Sequence, residues 1–138
     1  MTQDSDRISV NLELTKRFYV AFDSREPSRM DALVAETGVD HDGGGVSALV
    51  SMRGLVGALA TGFDEYHHRV ELALPIGDDK VFIRWRMEGT HTGELFGVPA
   101  SNKKIFLHGH DLIRIDGGKI VELWHVEQLL QMMQQIKG

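Results

Sequence analysis

The chain has 138 residues, no cysteine and a net charge of −5 at neutral pH. This length predicts a single domain over residues 1–138 with a substantial hydrophobic core. The lack of cysteine excludes a disulfide framework and thiolate chemistry. Because the basic residues are scattered, we expect no nucleic-acid partner and no membrane partner.

No apolar stretch approaches the ~20 residues needed to span a bilayer. The first nine residues also lack a basic segment followed by an apolar run. We therefore expect no signal peptide and a cytoplasmic protein.

The first half of the sequence predicts helices. Residues 7–22 place most of their apolar side chains on one side of a helix. Ser28 is placed to cap a second, short helix over residues 29–35. A third helix is predicted over residues 51–63, with four apolar residues facing inward. These are Met52, Leu55, Val56 and Leu59.

The second half predicts an antiparallel sheet, because the apolar pattern changes to period two. Strands are expected over residues 68–74, 80–89, 104–115 and 119–127, and a short helix closes the chain. Asp116-Gly117-Gly118 is a strong hairpin signal, since such turns need positive φ angles. Helices segregated from an antiparallel sheet make this an α+β protein.

The two strands of the last hairpin are predicted to present two distinct faces. The same residues share a face whichever two-residue turn connects the strands. The more apolar face carries Leu107, Gly109, Asp111, Ile113 and Ile115 with Ile120, Glu122, Trp124, Val126 and Gln128. The other carries His108, His110, Leu112 and Arg114 with Val121, Leu123, His125 and Glu127. We expect the first to be the core or pocket side.

Asp111 is the first functional candidate, because it places a carboxyl group on that apolar face. Apolar surroundings raise the pKa of a carboxyl group and make it an acid or base suited to neutral pH. The alternative is a structural aspartate bound by backbone N–H groups or by Arg84 or Arg86.

Three segments of the second half carry a family resemblance: GTHTGELFGVP, GHDLIRIDGGKIVELW and LLQMMQQI. Together they resemble the SnoaL-like polyketide cyclase, or ester cyclase, family of the nuclear-transport-factor-two-like superfamily. The likeness covers about residues 14–136, and His41 fits a loop histidine of the family. It implies a cone-shaped α+β barrel, in which N-terminal helices pack on a curved antiparallel sheet around a deep apolar pocket. It also implies a homodimer and, in the best-known members, cofactor-free aldol ring closure of a polyketide ester.

The family's acid/base aspartate stands four residues after the tryptophan, where this chain has Gln128. Glutamine forms hydrogen bonds but has no titratable proton near neutral pH. Gln128 is therefore expected to orient a ligand oxygen, with Asp111 or His91 as the proton-transfer group and His41 at the pocket mouth.

The expected ligand is a small, apolar, carbonyl-containing molecule, and the expected chemistry is that of an aldol cyclase, lyase or isomerase without a cofactor. Its pocket walls are expected from Tyr19, Trp85, Met87 and Trp124, although aromatic residues at such spacings also form ordinary core. An epoxide or ester hydrolase in the same pocket, and a non-catalytic binding or dimerisation module, remain alternatives.

A metal site is the rival hypothesis for the second face of the hairpin. His108, His110, His125 and Glu127 share that predicted face, and imidazole and carboxylate groups are ligands of zinc and iron. We nevertheless expect no metal, because this face should be the outer or dimer-contact surface.

Overall fold

The computed structural model describes residues 3–138, which form three α-helices, one short 3₁₀ helix and six strands. In chain order these are α1 (Gln3–Asp23), the 3₁₀ helix (Pro27–Ala32), β1 (Val34–Asp40), β2 (Val46–Ser47), α2 (Ala48–Gly62), β3 (Phe63–Ile76), β4 (Lys80–His91), β5 (Lys104–Asp116), β6 (Lys119–Glu127) and α3 (Leu129–Lys137). None of the described helices is long and apolar enough to cross a membrane.

The strands form one curved sheet in the order β2-β1-β6-β5-β4-β3. All neighbours are antiparallel except β1 and β6, which run parallel. The predicted α+β fold, with helices on a curved sheet, is confirmed. The sheet does not close into a complete barrel, so β2 and β3 remain edge strands.

The packing of α1 and α2 against the inner face of the sheet forms the core. Phe18 of α1, Val56 of α2 and Met87 of β4 are all fully buried. The third predicted helix is confirmed as α2, which starts three residues earlier because Ser47 caps it by accepting a hydrogen bond from the Val50 N–H at 3.3 Å.

The predicted second helix over residues 29–35 is wrong. A 3₁₀ helix ends at Ala32, and β1 begins two residues later. The backbone of this segment pairs with β6 instead: the Ile120 N–H donates to the Leu33 carbonyl and the His41 N–H to the Leu123 carbonyl, both at 2.9 Å. This parallel pairing joins segments far apart in sequence, and local propensity does not reveal it.

The predicted faces of β6 are wrong beyond Ile120, because a β-bulge interrupts its pairing with β5. Ile115 pairs with Ile120, but Arg114 pairs with Glu122, which leaves Val121 as an extra residue. One extra residue turns every later side chain to the opposite face. Beyond the bulge, Leu123, His125 and Glu127 face inward, whereas Glu122, Trp124 and Val126 face outward.

A cavity with a buried carboxyl group

A cavity of about 250 Å³ lies between the helices and the inner face of the sheet. Its wall is mainly apolar, with a few polar side chains that converge on the interior, as in many small-molecule sites. These polar side chains are Tyr19, Asp40, Ser51, His68, Asp111, His125 and Glu127.

Asp111 lies on β5 with 6% of its surface exposed. Burial raises the pKa of its carboxyl group to about 6, although the Tyr19 hydroxyl and the Trp85 indole oppose the rise. Tyr19 donates a hydrogen bond to Oδ2, and burial beside Asp111 raises the pKa of this tyrosine. Tyr19 therefore stays a neutral donor while Asp111 titrates near neutral pH.

The predicted alternative of an arginine partner for Asp111 is wrong. Arg84 binds His110 and Glu71 on the outer face of the sheet. Arg86 lies there too, over the Phe106 ring. The sheet thus separates both guanidinium groups from the cavity.

Trp85 forms the wall next to Asp111 and lies across the β5 backbone. A Cβ atom at Gly109 would stand 2.2 Å from Trp85 Cζ2, so only glycine admits the indole in this position. The buried Nε1–H is near enough to lower the pKa of Asp111, but it makes no full hydrogen bond with any described residue. Among the described residues it is therefore a buried donor next to Asp111 that lacks a full hydrogen-bond partner.

His125 is held between two carboxylates. Its Nδ1 lies 2.5 Å from Glu127 Oε1, and its Nε2 lies 2.9 Å from Asp40 Oδ1. The hydrogen bond with Glu127 and the negative charge of that residue, followed by the same two effects of Asp40, raise the pKa of His125 to about 9 despite partial burial. At neutral pH His125 is thus an imidazolium whose charge is compensated and whose two nitrogens are both engaged.

The residues of the metal hypothesis do not converge. His108 and His110 lie on the outer face of β5, while His125 and Glu127 lie on the inner face of β6. Residues 3–138 contain no group of three or more His, Cys, Asp or Glu side chains placed to hold a metal ion.

Of the predicted pocket residues, Tyr19, Trp85, Met87 and Asp111 line the cavity. The predicted position of Trp124 is wrong, because the bulge turns this side chain outward. There it stacks on His41, with 4.6 Å between ring centroids and 10° between planes. His41 also lies 3.1 Å from Glu122 Oε1 and does not reach the cavity.

Gln128 and His91 also lie away from the cavity wall. Gln128 is exposed at the start of α3, and Glu127 takes the inward position next to it. His91 is fully buried, with Nδ1 2.9 Å from Ser101 Oγ and Nε2 without a partner among the described residues.

His68, Glu127 and Asp40 line the cavity, although the sequence pattern did not predict them there. His68 was recoverable, since the alternation of β3 places it on the same face as Val70. Asp40 and Glu127 were not, because their positions depend on β1 joining the sheet and on the bulge.

A curved, open sheet that packs helices around an apolar cavity places the chain in the cone-shaped, nuclear-transport-factor-two-like class of α+β proteins. The SnoaL-like polyketide cyclase family matches residues 13–136, and the chain belongs to that family. Membership supports an enzyme of the cyclase or isomerase type that works without a cofactor.

Solved structures agree with this fold. TsrD from Streptomyces laurentii is 20% identical with a TM-score of 0.83, over 93% of this chain and 95% of its own. AclR from Streptomyces galilaeus, a candidate hydroxylase, is 21% identical with a TM-score of 0.83, over 94% and 82%. A candidate polyketide cyclase from Bacillus cereus ATCC 10987 is 27% identical with a TM-score of 0.75, over 90% and 78%. No curated protein sequence matches the chain.

Proposed function

We propose that the protein is a cofactor-free cyclase that catalyses an intramolecular aldol reaction on a small, uncharged, carbonyl-containing molecule in the cavity. The observation that carries this proposal is the Asp111 carboxyl group, buried in an apolar wall with its pKa raised to about 6. Such a carboxylate is mostly ionised at neutral pH, yet it is more basic than one in water.

The groups around Asp111 support a defined ligand orientation. In the proposed complex the Trp85 Nε1–H, which is buried without a full hydrogen bond in this structure, turns to the oxygen of the carbonyl group that is activated, while Tyr19 holds the carboxylate. The other wall residues, including Met87 and Leu107, exclude water from the reacting atoms. An uncharged ligand fits better than an anion, because the carboxylates of Asp40, Asp111 and Glu127 outnumber the single positive charge of His125 in the cavity lining.

The proposed reaction conserves all atoms of the ligand. Asp111 takes a proton from the carbon next to the first carbonyl group, and the C–H electron pair delocalises onto the oxygen at Trp85. The resulting enolate carbon forms a bond to a second carbonyl carbon of the same molecule. The electron pair of that C=O bond moves to its oxygen, which then takes a proton, so the product is a cyclic isomer of the ligand.

Replacing Asp111 with asparagine tests the proposal, since asparagine keeps the shape and accepts a hydrogen bond from Tyr19 but cannot take a proton. Two probes are suitable: hydrogen–deuterium exchange next to the carbonyl of β-tetralone, and ring closure of heptane-2,6-dione, both followed by NMR. We expect D111N to lower both rates about 100-fold or more. In the wild type, both rates should rise with pH through about 6 as Asp111 ionises.

Glu13→Gln is the matched control, because it makes the same carboxylate-to-amide change on the exposed surface of α1. It should leave both rates unchanged. A wild-type protein that binds these ketones but accelerates neither reaction would instead identify a non-catalytic binding module. A D111N variant as active as the wild type would remove Asp111 from the mechanism.

We also propose that the functional form is a homodimer joined through the outer face of the sheet. This face exposes apolar side chains on separated strands, among them Leu72 and Leu74 of β3 and Val126 of β6. Several exposed apolar side chains on one face of a sheet are a feature of protein interfaces.

A further inference from the structure

His68 lines the cavity and forms an ionisable pair with Asp23. His68 Nδ1 lies 2.6 Å from Asp23 Oδ1, and the His68 backbone N–H donates to both carboxylate oxygens, at 3.0 Å and 3.2 Å. Because the carboxylate accepts from Nδ1, the ring hydrogen resides there in the neutral imidazole. Asp23 thus fixes both the tautomer and the direction of Nε2.

Nε2 of His68 is free for a ligand. No described residue forms a hydrogen bond with it, although only 5% of the side chain is exposed. The ring lines the cavity, and its centroid lies 5.3 Å from that of Trp85 and 6.2 Å from that of Tyr19. Since these are the two residues beside Asp111, His68 and Asp111 reach the same ligand.

We propose that His68 is a second catalytic residue, with Asp23 as its positioning residue. The inference rests on the proposed function and divides its proton transfers between two groups. Asp111 accepts the proton from the carbon, and His68 donates a proton to the oxygen. Asp23 compensates the positive charge of the imidazolium form, as the aspartate does in a serine protease triad.

With two catalytic residues, the aldol reaction still conserves all protons and electron pairs. The C–H proton goes to Asp111, and its electron pair forms the new carbon–carbon bond by way of the enolate. The π pair of the second carbonyl group moves to its oxygen, which takes the proton from Nε2 of an imidazolium His68. Exchange with water then returns one proton to His68 and removes one from Asp111.

His68→Gln separates this role from that of Asp111. Exchange next to the carbonyl of β-tetralone needs only the first proton transfer, whereas ring closure of heptane-2,6-dione needs both. We expect H68Q to lower kcat for ring closure about 100-fold and to leave the exchange rate within about threefold of the wild type. Retained exchange would also demonstrate that the variant folds and that the surroundings of Asp111 are intact.

His67→Gln is the matched control, because His67 is adjacent and also contacts Asp23, with Nδ1 3.3 Å from Oδ2, but its side chain is 68% exposed. It should leave both rates unchanged. Equal ring closure by H68Q and the wild type would overturn the assignment of His68 while D111N still supports the cyclase. Parallel loss of exchange and ring closure in H68Q would also overturn it, since His68 would then not act at the oxygen alone.

Asp23→Asn tests the positioning role. The amide keeps an acceptor for Nδ1–H but not the charge that stabilises an imidazolium. We expect kcat for ring closure to fall about tenfold or more, with KM and the exchange rate little changed. A change in KM alone would contradict the role, because it would indicate that Asp23 only shapes the cavity.

If the wild type accelerates neither probe reaction, the proposed function fails as a whole. If it accelerates exchange in an Asp111-dependent manner and only the His68 result differs, the further inference alone fails. The two failures are therefore distinguishable in one set of measurements.

Discussion

At the scale of one residue, the burial that makes the Asp111 carboxylate more basic also lowers the stability of the fold at neutral pH. Its pKa is raised from the ordinary 3.8 to about 6, chiefly by burial. The folded state therefore binds this proton more tightly than the unfolded state does. The stabilisation of the folded state by this tighter proton binding is fully present below the pKa of Asp111 in the unfolded state. It is lost as the pH rises through about 6. At neutral pH the buried carboxylate destabilises the fold.

Replacing Asp111 with asparagine should therefore stabilise the protein at neutral pH. Since one pKa unit corresponds to about 1.4 kcal/mol, we expect a gain of about 1–3 kcal/mol in the free energy of unfolding. Below about pH 4 the gain should vanish, because the wild-type carboxyl group is then neutral in both states. Urea denaturation at several pH values measures this difference. A wild type more stable than D111N at neutral pH would show that the carboxylate is well solvated.

At the scale of one element, the bulge in β6 decides which side chains of this strand face the cavity. Without Val121 as an extra residue, Trp124 would point into the cavity and His125 would point out. The sequence alternates in a way that fits either arrangement, because apolar and polar residues occur on both sides of β6. The pairing with β5 and β1 selects the arrangement that buries Leu123 and binds His125 to Asp40.

Deletion of Val121 should therefore be far more damaging than its substitution. The deletion turns Leu123 outward and Trp124 inward, so we expect the free energy of unfolding to fall by about 3 kcal/mol or more. Val121→Ala keeps the residue count and should cost about 1 kcal/mol or less. Chemical denaturation of both variants measures the difference. Equal stability would mean that the bulge moves elsewhere without cost.

At the scale of the whole molecule, the outer face of the sheet is the main unexplained surface. Val126 is 68% exposed, and Leu72, Leu74 and Ile76 of the edge strand β3 are each more than 40% exposed. Exposed edge strands invite pairing and association. A second copy would cover this surface, in agreement with the proposed homodimer.

Val126→Lys tests the dimer, because it places a charge on the proposed contact surface. We expect the wild type to sediment as a dimer and this variant to shift towards the monomer by at least tenfold in Kd. Val10→Lys on α1, which is 57% exposed, is the matched control and should leave the mass unchanged. Equal masses for the wild type and V126K would place the contact elsewhere or show that the chain is monomeric.

The sequence by itself determined the α+β class, the four long strands, helices α1 and α2, and the inward position of Asp111. Each depends on a local period of apolar residues, and such periods survive because one face of each element must be buried. The same reasoning placed Tyr19, Trp85 and Met87 at the cavity.

Only the tertiary structure decided which side of β6 faces the cavity, that residues 34–40 form a strand, and which polar groups meet inside. Trp124 and His125 exchange faces through one bulged residue, and Asp40 reaches His125 only because β1 pairs with β6. Register and parallel pairing join segments distant in sequence. The free energies of register and pairing depend on the packing of the whole sheet, so a local sequence pattern does not predict them.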